Sequence, residues 1–300
     1  MLGLRMPKLT MTKRQACITA VLAALVIISF IVLKRSDYEV SEAIASINQV
    51  PQPPSGSIAD QNKWNASDFF TEPSAENFCN LIAVNDSAKI DELIRSEAVN
   101  LNCLGKSGMT PLLWAYSCGR KELVIKLLQA GANPDTKLLQ SIPVKYGTPL
   151  LDGDTFAFTM LRHMDIDMLN ECLRFIRDPN QRDRHGDSLL HKLIGQIAFN
   201  SAPGERFKKL TEGLIEIGVD VNARNSNGST PLHIAFNHLP EFGPFLLDHG
   251  ADPTITSNDG KSVLDTIDTI ETYLPTDKLR HDEALLRYSA FVDRLRNYRD

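Results

Sequence analysis

The sequence predicts an all-α protein, a stack of helix-turn-helix units preceded by one N-terminal transmembrane helix. Three observations predict it. A run without charge, Ala16 to Leu33, sits near the start. A patterned stretch, GMTPLLWAYSCGRKELVIKLLQAGANPD from Gly108 to Asp135, returns as GSTPLHIAFNHLPEFGPFLLDHGADPTI from Gly228 to Ile255. The chain is also 43% hydrophobic and 23% charged over 300 residues, the balance of a folded globular protein. Its net charge of -5 offers no basic face to collect phosphates, so no nucleic acid is expected as a partner.

The apolar run comes first. At ~1.5 Å per residue it makes a helix of roughly 27 Å, close to the ~30 Å hydrocarbon core of a bilayer. Lys34 and Arg35 follow it as a polar stop, which favours an uncleaved anchor over a signal peptide. Arg5, Lys8, Lys13 and Arg14 precede it and outnumber the basic residues just after it. That asymmetry makes residues 1–15 a cytoplasmic tail and 16–33 a single-pass transmembrane helix, with the rest of the chain across the membrane. In a Gram-negative cell this means the inner membrane, with the repeat domain periplasmic. Residues 34–73 contain VPQPPSGS and read as a Pro/Ser-containing linker, either lifting the domain off the bilayer or caught against it.

Residues 74–300 carry the units. Thr110 and Thr230 are placed to cap a helix, with Pro111 and Pro231 at its first position, where the missing N–H costs little. Leu112 and Ala115, like Leu232 and Ala235, fall on one buried helical face. Leu127 and Leu128, with Leu246 and Leu247, belong to a second, antiparallel helix that ends at Gly131 or Gly250. Gly108 and Gly228 fit the tight turn into each unit. These residues resemble the ankyrin repeat.

Divergent copies extend the series. RHGDSLLHKL keeps Gly186, Ser188, Leu189 and Leu190 and ends in GVDVNAR; KYGTPLLDGDTF keeps Thr148-Pro149-Leu150 but loses the closing Gly-Ala. ENFCNLIAVNDSAKIDELIRS reads as an N-terminal capping pair, NDGKSVLDTI as the start of a last unit, and DEALLRYSAFVDRLRNYRD as an amphipathic closing helix. The count is about six units, with helix starts at 110, 148, 188, 230 and 262, mostly wider apart than the usual ~33 residues. The resemblance implies an all-α ankyrin-repeat solenoid with short β-hairpin fingers and a concave face.

No catalytic, cofactor-binding or metal residues are expected. His233 holds the family's Thr-Pro-Leu-His position, with His191 at the equivalent place, and the resemblance implies that such imidazoles bond the backbone of neighbouring loops. Asp152-Gly153-Asp154 lacks the rest of a calcium loop and reads as a solvated turn. H-E-x-x-H, G-x-S-x-G and phosphate-binding glycine loops are missing from the sequence. Trp114 aligns with Ile234 at a core position. The cysteines show no C-x-x-C spacing, and pairing of Cys103 with Cys118 stays open.

What remains is surface. The resemblance implies a protein partner, held by the finger tips and the exposed side of each first helix. By register these positions are Lys106, Ser107, Met109 and Ser117; Val144 and Lys145; Arg184, His185, Asp187 and Gln196; and Ser226, Asn227, Ser229, Asn237 and His238. More specifically, the chain resembles anchored ankyrin-repeat proteins of Gram-negative bacteria that neutralise phospholipase toxins delivered by type VI secretion. That implies a non-enzymatic immunity protein. The alternative is an accessory scaffold holding an envelope enzyme or complex at the inner membrane.

Overall fold

Five hydroxyl residues organise the chain. Thr110, Thr155, Ser188, Thr230 and Ser262 each stand immediately before a helix, and each is buried. The computed structural model describes residues 56–145, 148–200, 204–266 and 290–296. The expected tail (1–15), anchor (16–33) and linker as far as residue 55 lie outside them. Among the described residues no helix is long and apolar enough to cross a membrane.

The helices pair in chain order. Two short ones, α1 (Ile58–Asn62) and α2 (Ala66–Phe69), precede a hairpin of α3 (Pro73–Val84) and α4 (Ser87–Arg95). Four more hairpins follow: α5 (Pro111–Ser117) with α6 (Lys121–Gln129), α7 (Phe156–Arg162) with α8 (Ile166–Cys172), α9 (Leu189–Asn200) with α10 (Glu205–Glu216), and α11 (Pro231–His238) with α12 (Gly243–Asp248). First helices pack on first helices, α3 on α5 and α9 between α7 and α11, while α8 lies between the second helices α6 and α10. Enclosure on several sides explains why Leu189, Leu190, Leu193, Ile194 and Ile197 of α9 are all wholly buried. Each such side chain contributes about 1.5–3 kcal/mol of hydrophobic stabilisation relative to exposure. Trp114 is a core residue as expected, with Nε1 donating to the Cys79 carbonyl at 2.8 Å.

Two polar devices fix the spacing between hairpins. At the far end of each hairpin, an asparagine of one unit grips the next. Asn102 donates to the Gly131 carbonyl and accepts from the Asn133 amide; Asn180 does the same with Gly218 and Asp220, and Asn222 with Gly250 and Asp252, at 2.7–3.4 Å. The third hairpin has no closing glycine for such a donor to reach. There the residue is Asp135, which only accepts, and it takes the amides of Arg177 and Asp178 at 2.9 Å. At the near end, three of the four finger junctions bond through backbone, Leu139 N–H to Ser107 O, Ser226 N–H to His185 O and Asn258 N–H to Asn227 O, and the fourth through side chains, Lys137 donating to the Arg182 carbonyl and Arg184 pairing with Asp152.

Three expectations are corrected. Thr148-Pro149-Leu150 does not start a helix; Leu150 sits in an isolated antiparallel bridge with Ile142, and α7 starts after Thr155. The other four starts read Gly-x-Thr or Gly-x-Ser, with the glycine at φ between 72° and 83° making the turn. Gly147-Thr148 lacks the intervening residue, whereas Gly153-Asp154-Thr155 has it, with Gly153 at φ 77°. Thr155 and Ser188 are then 33 residues apart, and the extra length is a long finger spanning residues 138–152. The second correction concerns the fingers, which contain no strand among the described residues. The short fingers close with one tight loop, as in Asp183 N–H to Asp187 O, too short to support a ladder, and the long finger carries a single isolated bridge. Third, residues 58–69, expected in the linker, are helical and bury Ala59, Ala66 and Phe69.

At the other end, residues 290–296 close the stack as the amphipathic pattern predicts, burying Phe291, Val292 and Leu295. The Phe291 ring lies 5.8 Å from that of Phe236 and directly over Gly243, where a methyl group would come within 2.3 Å of it. Gly243→Ala would ordinarily stabilise a helix by about 0.5–1 kcal/mol. Here it is expected to destabilise by about 1–3 kcal/mol through overpacking. In a Phe291→Ala background the same change is expected to become neutral or stabilising. Chemical denaturation of the four proteins of this double-mutant cycle measures the reversal.

Candidate protein-binding face

The fingers and the first helices line one face of the stack, here termed the finger face. Its backbone is set by the row of buried caps. Thr110 accepts the Leu113 amide at 3.1 Å. In three later units the residue three positions on also reaches back to the amide of its cap: His191 to Ser188 (3.2 Å), His233 to Thr230 (3.2 Å) and Asp265 to Ser262 (3.0 Å). This is a capping box with histidine, or in the last of these units aspartate, in the usual glutamate place. The far nitrogen of each imidazole then reaches the next finger, Nε2 donating to the Ser229 carbonyl at 2.8 Å and to the Lys261 carbonyl at 3.3 Å. Both rings are thereby neutral, with Nδ1 accepting and Nε2 protonated. They are joints between units, as the resemblance implies.

Charge on this face is paired. Arg162 clasps the buried Asp154 through two nitrogens at 2.9 and 3.1 Å. Burial nevertheless raises the Asp154 carboxyl above its usual range, outweighing the arginine. Lys192 bridges Asp183 at 2.9 Å and Asp187 at 3.4 Å. Burial works to raise Asp183, but the Lys192 contact and the amides of His185 and Asp187 bring it below the ordinary carboxylate value. Asp152 and Asp154 therefore serve the fold: Asp152 accepts from Ser141 and pairs with Arg184 at 3.2 Å. Among the described residues no group of histidine, cysteine and carboxylate side chains is arranged to hold a metal. Cys79, Cys103, Cys118 and Cys172 are free thiols. Burial pushes Cys118 and Cys172 up to about 12, which keeps them protonated and poorly nucleophilic at neutral pH.

The expected contact residues divide by burial. Lys106, Lys145, Arg184, His185, Ser226, Asn227, Asn237 and His238 are exposed, and Ser107, Val144, Asp187, Gln196 and Ser229 are half-buried. Met109 and Ser117 are wholly buried and present nothing to a partner, a correction to the register mapping. The positions equivalent to Ser117 stay accessible further along: Arg162 is half-buried and Asn237 exposed. Arg162 and Lys192, missed as elements of this face, are legible as basic residues on first helices opposite the fingers' aspartates.

Helical hairpins stacked through clamped turns define an α-solenoid, a class built for recognition over a surface. Residues 107–137 match the ankyrin repeat and residues 214–267 match ankyrin repeats (many copies), and the described chain has the helical ankyrin-repeat fold. It is similar in fold to an ankyrin repeat domain from Acinetobacter baumannii AYE, with a TM-score of 0.52 and 18% identity, over 73% of this chain and 97% of that one. A second ankyrin repeat protein gives 0.51 and 17% over 72% and 96%. Among curated proteins, Ankyrin repeat protein 14 of Vaccinia virus (strain Western Reserve) is 38% identical over 71 residues, 23% of this chain and 25% of its own length. SH3 and multiple ankyrin repeat domains protein 2 of Homo sapiens is 25% identical over 153 residues, 50% of this chain and 7% of that protein. The chain thus spans a small part of these curated relatives.

Burial holds the His191 and His233 imidazoles below their ordinary 6.5, against the opposing pull of the carbonyls they bond. As pH falls through about 6.5 the unfolded chain takes up protons that the folded chain does not. Their contribution is therefore complete above that value and lost on acidification. His191→Ala is expected to cost about 2 kcal/mol at pH 8, and His233→Ala, at the more open site, about 1 kcal/mol. The double variant is expected to show a flatter loss of stability between pH 7 and 5, read by denaturant melts across that range.

Proposed function

We propose that this chain is a non-enzymatic protein-binding scaffold, held at a membrane by residues 16–33 with its repeats on the far side. The observation that carries the binding reading is the finger face itself. Exposed polar tips (Lys106, Arg184, His185, Ser226 and Asn227) are fixed by buried caps, histidine joints and backbone bonds from finger to finger. Preorganised groups lose little entropy on binding, which suits such a face to a folded partner. His191 and His233 are committed as joints between units. The membrane placement is supported by the apolar run and its flanking charge alone.

In its most specific form the partner is a secreted phospholipase toxin, and the chain is the immunity protein that covers the toxin's active-site mouth from the periplasmic side. Support for this form is the combination of an N-terminal anchor with a repeat domain. Full-length protein in inner-membrane vesicles is expected to form a stoichiometric complex with the cognate lipase and suppress its activity. Arg184→Glu combined with Asn227→Arg is expected to weaken that complex by at least about tenfold, as removal of central contacts does. A scaffold that recovers no secreted hydrolase, or a reporter fused after residue 56 that reads as cytosolic, overturns the immunity form.

A further inference from the structure

We propose that residues 57–70 form an intramolecular strap that occupies the finger face over the first two hairpins and the tip of the long finger, leaving the fourth and fifth hairpins for a partner. Several independent contacts place it there. At the far end of α5, a methyl group on Gly119 would lie 3.3 Å from the Ser57 Cβ, so α1 starts against the end of that first helix. At the other end of α1, the Asn62 side-chain oxygen accepts the Lys145 amide on the long finger. Five residues of helix thus reach from the end of α5 to a finger tip. The strap then turns through Trp64, whose ring meets Phe69 at 5.2 Å; Phe69 in turn meets Trp114 of α5 at 5.8 Å. A methyl on Gly105 would fall 2.9 Å from the Phe69 carbonyl and 3.0 Å from the Phe70 ring, so the strap also lies on the first finger turn.

The repeat register supplies a second kind of observation. Equivalent positions on one face of a solenoid have equivalent exposure unless something covers one of them. Ser117 is wholly buried, while its third-hairpin counterpart Arg162 is half-buried and its fifth-hairpin counterpart Asn237 is exposed. Ser117 lies two residues before Gly119, against which the strap begins. The Ser117 hydroxyl is buried without a hydrogen-bond partner, which is uncommon for a helix position whose counterparts are accessible.

The assignment of the remaining surface to a partner rests on the protein-binding reading above; the strap itself does not, and its test uses no partner. Ser57 caps α1 by accepting the Asp60 amide at 3.2 Å. In the full-length chain, Ser57→Ala with Asn62→Ala removes the cap and the finger contact while leaving the aromatic seat. Alkylation resolved by cysteine is expected to speed up at Cys118 by at least about fivefold, the typical effect of a lost cap on a local opening. Cys172, buried in α8 outside the strap's reach, is expected to keep its rate. An unchanged Cys118 rate overturns the strap, and so does equal acceleration at both thiols, which makes residues 57–70 an ordinary part of the core. Amide exchange is the second readout. In Asn62→Ala alone, Lys145 is expected to lose protection while Leu139, bonded to the Ser107 carbonyl, retains it; unaltered Lys145 exchange contradicts the proposal.

Discussion

A helical hairpin of this chain cannot bury its apolar surface alone, and every other feature follows from that constraint. Helix α9 is apolar on more sides than α10 can cover, so it requires α7 and α11 as neighbours. Stacking satisfies the hydrophobic demand but brings backbone turns together at both ends, where unmet polar groups are costly. The asparagine clamps answer that demand at one end and the finger-to-finger amide bonds at the other. The stack is therefore specified twice, by apolar area and by polar registration. The two ends of the series are treated differently. Phe291 seals the fifth hairpin over Gly243, while residues 57–70 lie across the first two.

The same parts that register the stack determine what its surface can do. A histidine with one nitrogen on its own cap and the other on the next finger has no lone pair left for a proton-transfer role or a metal. Asp154 and Asp183 are committed to Arg162 and Lys192. Rigid caps and paired charges leave an array of exposed finger side chains on a fixed backbone, an arrangement for recognition over area.

Much of this was legible in the sequence because the repeat signature is local. Thr110-Pro111 and Thr230-Pro231 announce helix starts through cap chemistry and fixed φ, and a histidine three residues after a cap announces the joint. The third unit misled because it contains a Thr-Pro-Leu that matches the signature in composition but not in spacing. Gly147 precedes Thr148 without the intervening residue that every true start has, so the turn forms at Gly153 instead. That signal was present and is a matter of one residue. The burial of Met109 and Ser117 was not legible in the same way. For Ser117 it goes with the seating of residues 57–70, which involves a contact between Asn62 and Lys145, 83 positions apart, and short helices whose local propensity is weak. The Asp135 exception to the asparagine clamps is legible only once the loss of a closing glycine in the third unit is paired with it.

Adjacent repeats are registered by side chains of one unit gripping backbone of the next. Native-state hydrogen exchange at the amides of Asp220 and Asp252 tests it most directly, since each sits in a turn and has as its acceptor an asparagine of the preceding unit. Registration predicts that both exchange slowly, with protection approaching that of Leu193 in the middle of α9. Exchange of both at the rate of an unstructured chain, while Leu193 stays protected, would contradict it.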